Sequence, residues 1–181
     1  MREVWLENNP RMFQAAALLA LVFLLVGGAA LMRYWSAESP VGRVAGISLL
    51  SGAILGGLLI AAMWRIPRLA FDGRHLLAYV QGTTPIRVPI EVVECFLMGQ
   101  GPSLLPGEKH ARTETTTLVI KLSDRAEEWS HHAVDYRLAA WCDSYITIRG
   151  TWTEPLNLAV VRRLNERLMA AHQQLPQQTA L

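Results

Sequence analysis

Two kinds of patterning divide this chain. From Met12 to Met32, and again from Val44 to Trp64, it runs without one formal charge. At ~1.5 Å rise per residue each run makes a helix of roughly 32 Å, which matches the ~30 Å hydrocarbon core of a bilayer. A core helix of a soluble domain this small has no need of such length, so the pattern predicts two transmembrane spans. The polar exceptions are mild: Gln14 stands near the start of the first run, and Ser48 and Ser51 can return their hydroxyls to carbonyls of the preceding turn. No acidic, basic or histidine side chain lies inside either run to mark an ion pathway.

A signal peptide for the first run and a buried helical hairpin for both are the alternatives. The first run exceeds a usual signal core and follows Glu3 and Glu7, although Val26 to Ala30 offers small residues near a cleavage point. The second span would survive such cleavage.

The connector from Arg33 to Arg43 is too short for a domain and predicts a tight antiparallel hairpin whose two ends share one side. Arg2, Arg11, Arg65, Arg68 and Arg74 flank the ends, against Arg33 and Arg43 in the connector. That excess favours cytoplasmic termini at a cell inner membrane. Tyr34, Trp35 and Trp64 stand where an interfacial aromatic belt would. In the second run Ser48, Gly52 and Gly56 recur every four residues, beside a row of Ala53, Gly57 and Ala61. Small residues allow close backbone approach, and the tethered first helix, with Ala16, Ala20, Gly27 and Gly28, is the expected partner ahead of a second copy.

Beyond Trp64 the pattern changes to short alternating runs, enough for one core. Arg68 to Phe71 and Arg74 to Val80 read as strands around an Asp72-Gly73 turn. Ile86 to Pro89 and Ile90 to Met98 read as two more, parted at Pro89, which cannot donate to a ladder. Gly99 to Thr115 reads as a long loop, Thr116 to Leu122 and Tyr145 to Arg149 as strands, and Trp129 to Trp141 as a short helix or a covered loop. Thr153-Glu154-Pro155 reads as a helix entrance. Leu158, Val161, Leu164, Leu168, Ala171 and Leu175 then follow helical spacing, with Arg162, Arg163, Glu166 and Arg167 largely opposite. Packing of this helix on the sheet outweighs membrane-surface binding by its arginines, since the strands otherwise lack a lid.

The expected fold class is therefore an α+β membrane protein: a two-helix transmembrane hairpin, then an antiparallel β-sheet domain closed by a C-terminal amphipathic helix. In residues this gives an N-terminal flank 1–11, spans 12–32 and 44–64 around a connector 33–43, a soluble domain 65–175 and a tail 176–181. The 51% hydrophobic content and net charge of +2 are averages over two environments. Lys and Arg are scattered among Asp and Glu, with no aromatic-studded basic stripe to hold a nucleic acid.

This order resembles bacterial membrane proteins that carry a pleckstrin-homology-like domain after a transmembrane pair. The likeness is local, resting on Asp72-Gly73-Arg74-His75-Leu76-Leu77, on Val88-Pro89-Ile90-Glu91-Val92-Val93-Glu94 and on Gly99-Gln100-Gly101-Pro102. It implies a curved antiparallel sheet closed by the final helix, a scaffold for binding protein or lipid. Ser123 to Ser144 has no counterpart in it, and no compact Lys/Arg cluster in the early hairpin loops carries over a phosphoinositide site.

Candidate chemistry is sparse. Ser130-His131-His132 with Asp135 holds the residue types of a hydrolase triad, but triads are made by geometry, which so short a stretch rarely achieves. His110, His131 or His132 with Cys142 lack metal-ligand spacing, and the glycines near Gln100 lack the lysine and hydroxyl of a phosphate loop. No catalytic, cofactor or metal residue is assigned. Cys95 and Cys142 read as reduced thiols, and Glu91 and Glu94 as a solvated face or edge. Trp129, Trp141 and Trp152 read as core and lid packing, or as a partner patch if two prove exposed. The functional expectation is a non-enzymatic, membrane-anchored interaction module whose Arg65, Arg68 and Arg74 contact the membrane surface, with the bilayer and a protein as partners. A small-residue-packed membrane oligomer that passes or senses a solute is the second expectation, and a hydrolase using His131 or His132 the third.

Overall fold

A computed structural model describes residues 2–35, 40–102 and 114–178, without the side chains of 12, 34, 35, 102, 114 and 175–178. The chain divides into two compact units, Pro10–Arg65 and a discontinuous one made of Met1–Asn9 with Ile66–Leu181.

The first unit is two helices, α1 (Pro10–Trp35) and α2 (Pro40–Trp64). Each starts at a proline, whose missing N–H costs nothing in a first turn. Both are long and apolar enough to cross a membrane, and only 6% and 11% of their apolar windows are buried. They run antiparallel: Phe13 stacks on Trp64 with ring centroids 6.0 Å apart, and Gly27 faces Leu49 and Leu50, while Gly46 faces Leu31. A Cβ at Gly27 would stand 3.1 Å from the Leu49 Cβ, and one at Gly46 3.1 Å from the Leu31 backbone nitrogen. These two glycines carry the close approach. Ser51 Oγ donates to the Ile47 carbonyl at 2.7 Å, as its position in the run implies.

The second unit holds two antiparallel sheets and a helix. Its strands are β1 (Glu3–Leu6), β2 (Leu69–Phe71), β3 (His75–Ala78), β4 (Ile86–Pro89), β5 (Val93–Pro102), β6 (Glu114–Leu122), β7 (Ala139–Cys142) and β8 (Tyr145–Arg149). Among the described residues they form one sheet in the order β1-β2-β3-β4 and another in the order β5-β6-β8-β7. Helix α3 (Leu158–Gln178) buries Val160, Leu164, Leu168 and Ala171 in the core that both sheets share.

Residues 1–11, expected only as a flank, supply a strand. β1 pairs with β2 through Val4 opposite Ala70 and Leu6 opposite Leu69, and the register shifts between Val4 and Leu6. Strict alternation would bury only one of Trp5 and Leu6, whereas the irregularity lets both turn inward, to 2% and 0% exposure. The Trp5 ring then lies 5.1 Å from Phe71 of one sheet and 6.1 Å from Phe96 of the other.

Other boundaries move for local reasons. In the first hairpin Asp72 is the residue before the turn: its Oδ1 accepts from the backbone N–H of Arg74 and His75, and Gly73 takes a φ of +103°. One positive φ at the first central position is the type II′ pattern, with Gly73-Arg74 in place of Asp72-Gly73 at the centre. Ile90–Val92 is a 3-10 turn that parts β4 from β5. β5 and β6 reach further than expected, to Pro102 and from Glu114, because Gly99 and Gly101 let the strands close: a Cβ at either would meet Thr117 or Val119 atoms at 3.0 Å. The remainder of the predicted loop, 103–113, lies outside the described residues, as do 36–39 of the connector and 179–181 of the tail.

Helix α3 begins later than Thr153 predicts. Asn157 caps it, its Oδ1 accepting from the Val160 N–H at 2.9 Å. Thr153 is buried, bridges to Asn8 and donates its hydroxyl to the Gly150 and Glu154 carbonyls. Leu158 is consequently exposed, and Val160 takes its place on the buried face. Asn165 on α3 accepts from the Phe96 N–H and donates to the Phe96 carbonyl, both at 2.9 Å. A side-chain amide thus stands where a further strand would pair with β5.

Two substitutions test this arrangement. Trp5→Ala should destabilise the β-unit by about 3–5 kcal/mol, because it empties the junction of Phe71 and Phe96. Asn165→Leu should cost about 1–3 kcal/mol by leaving the Phe96 amide and carbonyl without partners. Denaturant unfolding followed by near-ultraviolet circular dichroism measures both.

Candidate functional site

The segment between β6 and β7 is laid onto the β-unit by its own backbone. Ser123 N–H donates to Val92, Asp135 N–H to Val80 and Arg149 N–H to Leu138, while Ser144 N–H reaches Ser130. Gln81 Nε2 donates to the Ala133 carbonyl. The segment contains a 3-10 turn, Glu127–Trp129, and is otherwise an irregular loop at the surface, with none of residues 123–138 buried. Its far end runs into the β7–β8 hairpin, where Asp143 and Ser144 take φ of 50° and 64°. Two positive-φ residues between Cys142 and Tyr145 make a type I′ turn, here without glycine.

Three rings meet under this segment. Trp129 stacks on His132 with centroids 5.1 Å apart, His132 on Trp141 at 4.9 Å, and Trp129 on Trp141 at 6.3 Å. Trp141 is buried and its Nε1 donates to the Trp129 carbonyl at 2.8 Å, while Trp129 is half-buried and donates to Glu128. The rings pin the segment to the sheet. Trp152, also half-buried, sits in the Gly150–Trp152 turn and stacks on neither among the described residues. Trp129 and Trp141 therefore pack with His132, and Trp152 stands outside that stack.

An exposed aromatic does occur in the same segment, at a residue that sequence reasoning passed over. Tyr136 is 64% exposed, with the Arg137 guanidinium 5.6 Å over its ring and the Arg149 Nε donating to its carbonyl at 2.9 Å. Its only signal in the sequence was an aromatic within a polar stretch. The tyrosine thus presents an apolar ring and a polar hydroxyl at the surface, with its backbone and ring held by two arginines.

Of the residues weighed for a triad, His132 and Asp135 have other contacts. His132 is stacked against both indoles, His131 is exposed, and Asp135 Oδ1 accepts from the Arg137 N–H at 2.9 Å. No group of three or more His, Cys, Asp or Glu among the described residues could hold a metal ion, and His110 lies outside them. Glu94 is exposed and pairs across the strands with Lys121 at 2.8 Å. Glu91 is exposed in its 3-10 turn.

The three arginines expected at a membrane surface differ in setting. Arg65 and Arg74 are exposed. Arg68 instead stitches the β-unit: its N–H donates to Leu6, its Nε to the Trp152 carbonyl at 3.2 Å and its Nη1 to the Tyr79 carbonyl at 3.4 Å. Burial lowers its pKa and the charge of Asp135 opposes that, but a guanidinium has ample margin to stay protonated. Its place in the flank after the second run suggested a surface cation; its bonds to the Leu6, Trp152 and Tyr79 carbonyls hold it to the β-unit instead.

Gly52 and Gly56 are not the points of closest approach between the helices. A Cβ at Gly52 or Gly56 meets nothing within 4 Å, whereas Gly27 and Gly46 meet the facing helix. At 100° per residue the row 48, 52, 56 is centred roughly a quarter of a turn from the face that Gly46, Leu49 and Ala53 present. With Ala16, Ala20 and Phe23 it lines a groove of about 400 Å³ along the hairpin.

Both cysteines are free, Cys95 half-buried and Cys142 exposed beside the I′ turn. A hydrogen bond to the Asp143 carboxylate, and then its charge, raise the Cys142 thiol above its ordinary pKa. The thiolate is the reactive form, so in a Cys95→Ser background maleimide labelling of Cys142 should be slow at pH 7 and should accelerate towards pH 10. Asp143→Asn, which still accepts a positive φ, should raise the rate at pH 7 several-fold. An unchanged rate would show that the carboxylate does not act on the thiol.

No protein-family model, curated protein or solved structure matches this chain.

Proposed function

We propose that α1 and α2 span a membrane, and that the chain is a membrane-anchored, non-enzymatic interaction module that docks a protein partner at the inner face. The observation that carries this reading is the exposed apolar surface of the two helices. Leu18, Leu25, Val44 and Leu58 are each more than 60% exposed, along helices whose lengths suit a bilayer. An apolar face of that extent is far larger than soluble proteins leave in water. Two antiparallel sheets closed by a terminal helix suit a pleckstrin-homology-like scaffold, which as a fold supplies a platform and not a chemistry. On that platform Tyr136 with Arg137 is the docking anchor. Arg65 and Arg74 seat the chain on an anionic leaflet, each contributing on the order of 1 kcal/mol.

Alkaline carbonate extraction tests the anchoring: the protein should stay with the membrane pellet, and release into the supernatant would contradict the spans. Photo-cross-linking from a probe at the exposed position 133 of the same segment, in the same membranes, tests the docking. One discrete adduct that Tyr136→Ala and Arg137→Ala each reduce at least tenfold is expected, and an adduct pattern indifferent to both would refute the anchor.

The groove along the hairpin favours a second reading, a small-residue-packed oligomer. Gly52→Leu with Gly56→Leu has room in the hairpin itself, yet would fill that groove. The pair should then dissociate any oligomer seen in mild detergent while leaving the hairpin intact. A wild-type chain that sediments as a monomer would dispose of this reading.

A further inference from the structure

β1 precedes the helical hairpin in the chain and β2 follows it, yet the two are neighbours in one sheet. Between Leu6 and its cross-strand partner Leu69 the chain passes through both apolar helices. The pairing therefore depends on the parity of membrane crossings. If both helices cross, β1 and β2 emerge on the same side. If only one crosses, a hydrocarbon layer that no unbonded strand can enter stands between them.

Nor can the β-unit close around a missing β1. Trp5 and Leu6 are core residues at 2% and 0% exposure, and Arg68 N–H needs the Leu6 carbonyl. Arg167 on α3 donates to the Val4 carbonyl at 2.8 Å and pairs with Glu3 at 3.4 Å. The residues leading into α1 are bonded as well: Glu154 N–H donates to Glu7, Asn9 N–H to Trp152, and the Asn8 amide to Ile66. Those bonds leave β1 little slack to be replaced by another segment.

We infer that the β-unit is a topology lock for the hairpin: it closes on chains whose two helices have both crossed and stays open on chains with a single crossing. The inference rests on reading α1 and α2 as spans, so its test scores that reading separately.

The test uses the full chain in membrane vesicles opened by freeze–thaw, so that protease reaches both faces while the bilayer stays whole. Leu18→Arg, Leu21→Arg and Leu25→Arg together place three charges in the middle of α1 at exposed positions, which stops it crossing without removing a core contact. A tag before residue 1 reports its side. The wild type and the matching triple-alanine variant should yield a resistant fragment that starts near Ile66. In the arginine variant that segment should be digested at least tenfold faster, although its own sequence is unchanged. Transfer to mild detergent removes the barrier and should restore resistance, an effect that simple misfolding would not produce. Equal resistance of the arginine variant in membranes, or no recovery in detergent, would overturn the lock while leaving the spans standing. Carbonate release of the wild type would overturn the spans and the lock together.

Discussion

The pairing of Glu3–Leu6 with Leu69–Phe71 completes a β-unit whose sequence is interrupted by the two helices, and most of that unit leans on it. Four residues do this because two of them are large, apolar and consecutive. The irregularity at Trp5 turns both inward, and the indole then bridges Phe71 and Phe96 from separate sheets. Burying a Trp and a Leu side chain contributes several kcal/mol, a substantial part of the stability of a domain this size. Once β1 is in place, the bonds from Asn8, Asn9 and Glu7 to the segment before α3 follow from proximity.

Helix α3 illustrates how a competition between membrane and sheet is decided. Its arginines could have lain on anionic headgroups, each for about 1 kcal/mol. Arg163 instead pairs with Glu154 at 2.7 Å, and Arg167 with the Val4 carbonyl and Glu3. The apolar face of Val160, Leu164, Leu168 and Ala171 outweighs such surface pairs, since each fully buried aliphatic side chain contributes roughly 1.5–3 kcal/mol. Asn165 adds direction by occupying the free edge at Phe96, and His172 Nε2 lies 2.8 Å from the Ile90 carbonyl. The helix is thereby fixed along β5 as well as onto the core.

Much of this was legible in the residues. The uncharged runs are long helices, and the alternation in Leu118–Leu122 and Ile146–Ile148 marks inner strand faces that are buried as it implies. What escaped had short or misleading signals. β1 is four residues long, breaks alternation at Trp5 and pairs across more than sixty residues of sequence, so no local window contains its partner. Asp143-Ser144 makes a positive-φ turn without the glycine that usually announces one. Thr153 looks like a helix cap, but its pairing with Asn8 is a long-range fact that hands the cap to Asn157. For the candidate site, Tyr136 had no periodicity to distinguish it, and of the tryptophans that did stand out Trp129 and Trp141 stack with His132. The spacing of Ser48, Gly52 and Gly56 is visible in sequence; which face α1 chooses is not, because that depends on the crossing of two particular helices.

The claim on which the account turns is that the residues before the hairpin belong to the sheet after it. Val4 and Ala70 stand directly opposite each other in that pair. A Val4→Cys, Ala70→Cys chain with Cys95 and Cys142 replaced by serine should form an intramolecular disulfide on mild oxidation of intact membranes, visible as a mobility shift reversed by reductant. Val4→Cys combined with Arg87→Cys on β4, which two strands separate from β1, should not. No cross-link at 4–70, or equal cross-linking at 4–87, would contradict the discontinuous sheet.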